Sequence, residues 1–530
     1  MEADPCKPLK ERIAQLEDEN DLLATANVDL RRELTKVKKK LEILTALSDR
    51  GADGETPSRE ALPPAPANKK GPERKDLLPL PKLIVDDAAS NSTYAKTEVA
   101  RITDVCGNMN PICVVFSTGE THTRLDEHFQ EKVEGASTLV LVGGVDKIVR
   151  VYAYSHKRNQ HSELFRVEVS APVLGIECCG NQAACALMDG TMAVMHLPTA
   201  STRALDNKES TPTMSFSSWG QPGLTLLKHH SKYLACVAFN AEATVLCAVC
   251  PGERAISLYR ESDGAWAFLA SLTLDASPES AVYMPVQGEG VELKGEVLVI
   301  ALRDSANLVA LRGTTTSPVM KEGSAPLQFT EYRVPLNEQE WDTHASFSAL
   351  SLAVSTDSVA LETANAKKGV CGPLAVSTDK GAHLLVAWEG SSQGKFHSSD
   401  ASLEAAVAAG VGGVEGKLQV APAERVAMLH DHNCSEYGKP SVAWGSDKGG
   451  KARFLYSNSE EESCIYVYDT LQARTRALAG AQTNTSGSIG ASGSVAKLQG
   501  HKGIVRGLAT HPALGLLASV SYDHSLVMWR

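Results

Sequence analysis

The chain has 530 residues, 43% of them apolar, enough for a sizeable core, which excludes wholesale disorder. Lys and Arg number 52 against 63 Asp and Glu, and the net charge of −11 excludes a chain-wide electrostatic hold on nucleic acid or anionic lipid. There is no run of about 18 uncharged apolar residues, and charge occupies the early stretch that a secretory signal would need apolar, so the expectation is a soluble protein of the cytoplasm, with the nucleus as the alternative.

Residues 9–44 alternate spacings of three and four: Leu9, Ile13, Leu16, Asn20, Leu23, Asn27, Leu30, Leu34, Val37, Leu41 and Leu44. This is the seam of a coiled coil. Placing Ile13 at position a puts Leu16, Leu23 and Leu30 at d and both Asn20 and Asn27 at a, where paired amides favour an in-register parallel dimer. Arg12 then faces the partner's Glu17, and Glu33 faces the partner's Lys38, so the flanking charges agree. Too few residues, broken by Pro8, precede the seam to form the DNA-reading helix of a basic zipper. Residues 1–48 are therefore expected to be a homodimerisation arm.

Residues 49–92 change to Gly, Pro, Ala and charge, a composition that cannot bury enough apolar area to order itself and reads as a flexible linker. Lys69, Lys70, Arg74 and Lys75 form the basic cluster behind the nuclear alternative. Leu77 to Val85 (LLPLPKLIV) is more apolar and suited to docking on a folded surface.

Residues 93–530 read as short β-rich runs separated by turns, and the final stretch, GHKGIVRGLATHPALGLLASVSYDHSLVMWR, exposes the repeating unit. It resembles a repeat of the WD-repeat β-propeller family, with Gly500 and His501 opening the unit, Ser521 before the turn acid Asp523, and Trp529 closing the third strand. The resemblance implies a structural tetrad, His501, Ser521, Asp523 and Trp529, hydrogen-bonded from Trp through Ser and His to Asp. Such a half-buried chain stabilises only as a complete set. A catalytic reading of the Ser and His is poor, because a nucleophile needs exposure beside an oxyanion hole.

Six further units follow from an apolar run, an acidic turn and a second apolar run, with turn acids Asp146, Asp189, Glu253, Asp304, Asp379 and Glu462. Asp146 and Asp189 stand 43 residues apart, the length of one bare four-stranded blade. Seven units suggest an all-β, seven-bladed propeller, although LAVSTDS at 352 and LAVSTDK at 374 leave six or eight blades open. The last unit stops at its third strand, and a strand within Tyr94 to Ile102 is expected to complete it, which removes an open sheet edge. The stretches 199–227, 312–343, 390–438 and 474–497 read as insertions where recognition would be built.

Other chemistry fails on its own terms. GSDKGGKA, from Gly445, spaces its glycines and lysine like a phosphate loop but puts Ala452 where a magnesium-binding hydroxyl belongs and runs on into a strand. In GVGGVEG, Glu415 replaces the third glycine of a dinucleotide fingerprint. Cys247 and Cys250 form a CxxC with no second pair, and His430, His432 and Cys434 lack a fourth ligand. No enzyme, cofactor or metal is expected. The expected function is a non-catalytic scaffold binding other proteins on its propeller faces, with a nuclear RNA- or chromatin-associated subunit and a ubiquitin-ligase substrate receptor as alternatives.

Overall fold

The computed structural model describes residues 94–117, 137–197, 223–285, 296–305, 307–313, 329–336, 348–354, 370–379, 381–389, 419–420, 423–430, 440–447, 452–459, 462–473 and 493–530. The arm, the linker and their candidate residues Asn20 and Asn27 lie outside these.

The described residues form seven antiparallel sheets, the blades of a propeller. Leaving aside β1 (Glu98–Ile102), blade one holds β2 (Pro111–Phe116), β3 (Ser137–Gly144), β4 (Ile148–Ser155) and β5 (Gln160–Glu168). Blade two holds β6 (Val173–Cys179), β7 (Gln182–Leu187), β8 (Thr191–His196) and β9 (Leu224–Lys228). Blade three holds β10 (Cys236–Phe239), β11 (Val245–Cys250), β12 (Ala255–Ser262) and β13 (Ala265–Thr273). Blade four holds β14 (Pro278–Pro285), β15 (Glu296–Leu302), β16 (Asn307–Gly313) and β17 (Phe329–Pro335). Blade five holds β18 (Ala349–Val354), β19 (Val370–Thr378), β20 (Ala382–Glu389) and β22 (Ala423–His430), while the intervening β21 (Gln419–Val420) pairs in parallel with β17 of blade four. Blade six holds β23 (Val442–Ser446), β24 (Ala452–Asn458), β25 (Cys464–Asp469) and β26 (Ala496–Gln499). Blade seven holds β27 (Val505–His511), β28 (Leu516–Ser521) and β29 (Leu526–Trp529), and β1 is its outer strand.

That last pairing closes the ring. Glu98 stands opposite Trp529 and Ile102 opposite Leu526, and Thr97 and Arg530 exchange backbone hydrogen bonds of 2.9 and 2.8 Å. The two LAVSTD copies, which left the blade count open, are neighbouring strands of one blade, with Leu352 opposite Val376.

Each blade is sandwiched between two others, so both faces of its inner strands are buried. On β3, Leu139 and Leu141 join the core shared with blade two, while Val140 and Val142 join the core shared with blade seven. Seven such shared cores run round the ring. This is why the strands read as continuous apolar runs and not as alternation: every residue of β3 is buried.

The stretches read as insertions contain outer strands: β9, β17, β22 and β26 all fall within or at the edge of them. In blades two, four, five and six the chain takes a long path from third to fourth strand. Those connections, and the ones joining first to second strands, leave one end of the ring. The second-to-third turns and the blade-to-blade loops lie at the other end.

Candidate functional site

The turn end of the ring carries all seven turn acids, and the chemistry around them differs from blade to blade. In blade seven the Asp523 carboxylate meets His501 Nδ1 at 3.1 Å, so Nδ1 carries the proton and donates. His501 Nε2 then accepts from Ser519 Oγ–H at 2.7 Å, and Trp529 Nε1 donates to the same oxygen at 2.7 Å. The serine in this chain is Ser519, which corrects the assignment of Ser521. Both lie on one face of β28, one pleat apart, but Ser519 is across from Val527, two residues from Trp529, and the indole reaches it diagonally. Ser521 instead braces the turn, its Oγ accepting from the Asp523 backbone N–H at 3.2 Å.

Burial holds His501 below the usual histidine range against the opposing pull of Asp523, so the ring is neutral. Burial works against the Asp523 carboxylate too, yet hydrogen bonds from Ser525, the Lys502 N–H and His501 bring it down to about 2. Arg101 of β1 joins this group, donating to Ser525 Oγ at 3.2 Å and to the Gly500 carbonyl at 2.8 Å. The closing strand is thereby latched onto the relay of the blade it completes.

Blade three holds a second relay, which the sequence did not reveal. His230 Nδ1 lies 2.6 Å from Glu253, and its Nε2 lies 2.8 Å from Ser257 Oγ. The available signal was the His229-His230 pair before the first strand, the place His501 takes in blade seven. Elsewhere the turn acids find other partners. Asp146 pairs with Arg150 at 2.6 Å, Asp189 accepts from Ser170 Oγ at 2.8 Å, and Glu462 pairs with Lys497 at 3.0 Å. Asp304 and Asp379 share Ser348: its Oγ accepts from the Asp304 N–H and its N–H donates to Asp379, both at 2.9 Å, tying blade four to blade five. Ser377 Oγ lies 2.8 Å from His383 Nδ1 within blade five. These contacts hold turns in place.

This end also exposes apolar side chains. Among the described residues nine large apolar side chains are exposed, and five of them, Met109, Val145, Met188, Tyr233 and Tyr522, lie in its turns and loops. They belong to four consecutive blades, seven, one, two and three. Met188 and Met109 are 58% and 50% exposed, beyond what a buried-core role explains. The loops beneath are knitted together: His524 Nδ1 meets the Met109 carbonyl at 3.0 Å, and the Val145 N–H donates to the Asn110 carbonyl at 3.1 Å. Gly190, at φ +83°, lets the Met188 turn back onto the His230 carbonyl, where any Cβ would clash at 2.4 Å.

The rejected motifs have structural explanations. Gly445 lies on β23 against the Tyr456 ring, which a Cβ would meet at 2.3 Å. Cys247 and Cys250 point to opposite faces of β11, into the cores toward blades four and two respectively. His430 ends β22, while His432 and Cys434 lie outside the described residues. Among the described residues no helix is long and apolar enough to cross a membrane.

No curated protein matches the chain. Residues 492–530, which hold the complete His501–Ser519–Trp529 relay, match the family of the WD domain, G-beta repeat. With the seven-bladed ring, that match supports a WD-repeat propeller.

Proposed function

We propose that the protein is a non-catalytic scaffold that presents the turn end of its propeller to other proteins, and that the seam at residues 9–44 couples two copies. The observation behind this is the exposed arc of Met109, Val145, Met188, Tyr233 and Tyr522 across four adjacent blades. Exposed apolar side chains spread over adjacent turns suit a protein surface. Coupling would multiply weak contacts, since a tethered second site meets its ligand at an effective concentration on the order of millimolar.

The test compares proteins that co-purify with the full-length chain, with a Met188→Asp/Tyr522→Ser variant and with residues 93–530. The expected result is loss of partners in the variant at an unchanged melting temperature, and weaker retention by residues 93–530, which should sediment as a monomer beside a full-length dimer. Undiminished partner recovery by the variant would remove the arc from the function.

A further inference from the structure

Beside its relay, blade three carries a residue that blade seven lacks. Three residues before the turn acid stands Cys250, where blade seven has Val520. His230, Cys250 and Glu253 each offer a ligand atom, and all three atoms lie within 4.8 Å of one another. The Cys250 sulfur is also 3.7 Å from the Lys232 carbonyl oxygen. Sulfur and oxygen ligands of a tetrahedral zinc, with bonds of about 2.3 and 2.0–2.2 Å, stand roughly 3.6 Å apart, and nitrogen and oxygen ligands roughly 3.4 Å, so His230 Nδ1 and the Glu253 oxygen, 2.6 Å apart without the ion, must separate by roughly 0.8 Å to admit it.

From this geometry we infer that His230 Nδ1, Cys250 Sγ and a Glu253 carboxylate oxygen form a binding site for one zinc-class cation, with the Lys232 carbonyl placed as the fourth ligand. Thiolate and imidazole together select zinc over magnesium or calcium. The surroundings match what orients metal ligands elsewhere. The second Glu253 oxygen accepts from both the N–H and the Oγ–H of Ser231, each at 2.7 Å, and His230 Nε2 faces Ser257 Oγ at 2.8 Å. His230 and Cys250 are buried, while Glu253 reaches solvent and opens a path for the ion.

Loading exchanges protons in a defined way. Without the ion, the His230 Nδ1 proton is shared with Glu253 and Cys250 is a thiol. With the ion, the imidazole proton moves to Nε2, where Ser257 Oγ accepts it, and the thiol proton leaves to solvent. One proton is released for each ion bound. Because the thiol proton must leave, binding tightens as pH rises.

The experiment uses the full-length chain, stripped with chelator under reducing conditions and titrated with Co²⁺, then Zn²⁺. One equivalent of Co²⁺ is expected to give a thiolate-to-cobalt charge-transfer band that Zn²⁺ abolishes. The band should be absent in Cys250→Ser and retained in Cys247→Ser, whose side chain faces the other core. Zinc should raise the melting temperature of the unsubstituted chain and of Cys247→Ser but not of Cys250→Ser. Absence of the band in the unsubstituted chain, or a band of full intensity in Cys250→Ser, would overturn the site. Should the serine variant lose its melting transition, Glu253→Gln decides: affinity is expected to fall about tenfold or more, and an unchanged affinity overturns the proposal.

Discussion

Ser519→Ala and Ser521→Ala delete the same hydroxyl from two buried positions on one face of β28, and the structure separates their effects. Ser519 Oγ serves Trp529 Nε1 and His501 Nε2, both at 2.7 Å, in a setting where Ser519 is wholly buried and Trp529 is 2% exposed. Its removal leaves one buried donor and one buried acceptor unmet, at about 1–3 kcal/mol each, so the expected loss is about 2–6 kcal/mol. Ser521 Oγ accepts one backbone N–H at 3.2 Å, and losing that is expected to cost about 0.5–1.5 kcal/mol. Equilibrium urea unfolding of the full-length chain, followed by Trp fluorescence and far-UV circular dichroism, measures both through the transition midpoint and slope. A Ser519→Ala/Trp529→Phe double mutant should lose less than the sum of the single changes, because the second change removes the stranded donor. Equal midpoints for the two alanine variants, or a lower one for Ser521→Ala, would show that the relay does not run through Ser519.

Acid should weaken blade seven in two stages. Because the folded His501 sits below 6.5, the unfolded chain takes up its proton first, and stability falls as pH drops from 6.5 through the folded value; Asp523 then costs further stability between 3.8 and about 2. Urea midpoints across that range check both stages. Arg101→Ala should loosen β1 and speed hydrogen exchange at the backbone amides pairing Glu98–Ile102 with β29, while the amides of β15 keep their protection. Glu177 on β6 is raised to about 8 by burial, despite the Phe239 N–H that its carboxylate accepts. Its contribution to stability is fully present below 4.5 and is lost as pH rises to about 8, so Glu177→Gln should flatten the pH dependence of stability across that window.

Legibility in the sequence followed the length of the connections. A second-to-third strand turn is only a few residues long, so the apolar run, the acid and the next run stay contiguous, and all seven turn acids could be found by spacing. The outer strands that follow long connections could not. Leu224–Lys228 begins 28 residues after the end of β8, and nothing local to it points to its sheet. His230 and Glu253 are 23 residues apart with β10 and β11 between loop and turn, so their 2.6 Å contact exists only in the fold. Ser519 and Ser521 show a different limit: alternation places both on the same face, and only the register against Trp529 chooses between them. The arm is the reverse case, a seam plain in the heptads of residues 9–44 that falls outside the described residues.

Joining β1 to β29 has a consequence for biosynthesis. About 430 residues separate Glu98 from its partner Trp529, and a ribosome moving at about 5–20 residues per second needs roughly 20–90 s to cover them. Throughout that interval the first strand made has no mate, and each blade completed meanwhile offers a bare flank to its surroundings. The nascent strand therefore stays open to edge pairing until β29 emerges, and slowing translation between β1 and β29 should increase aggregation.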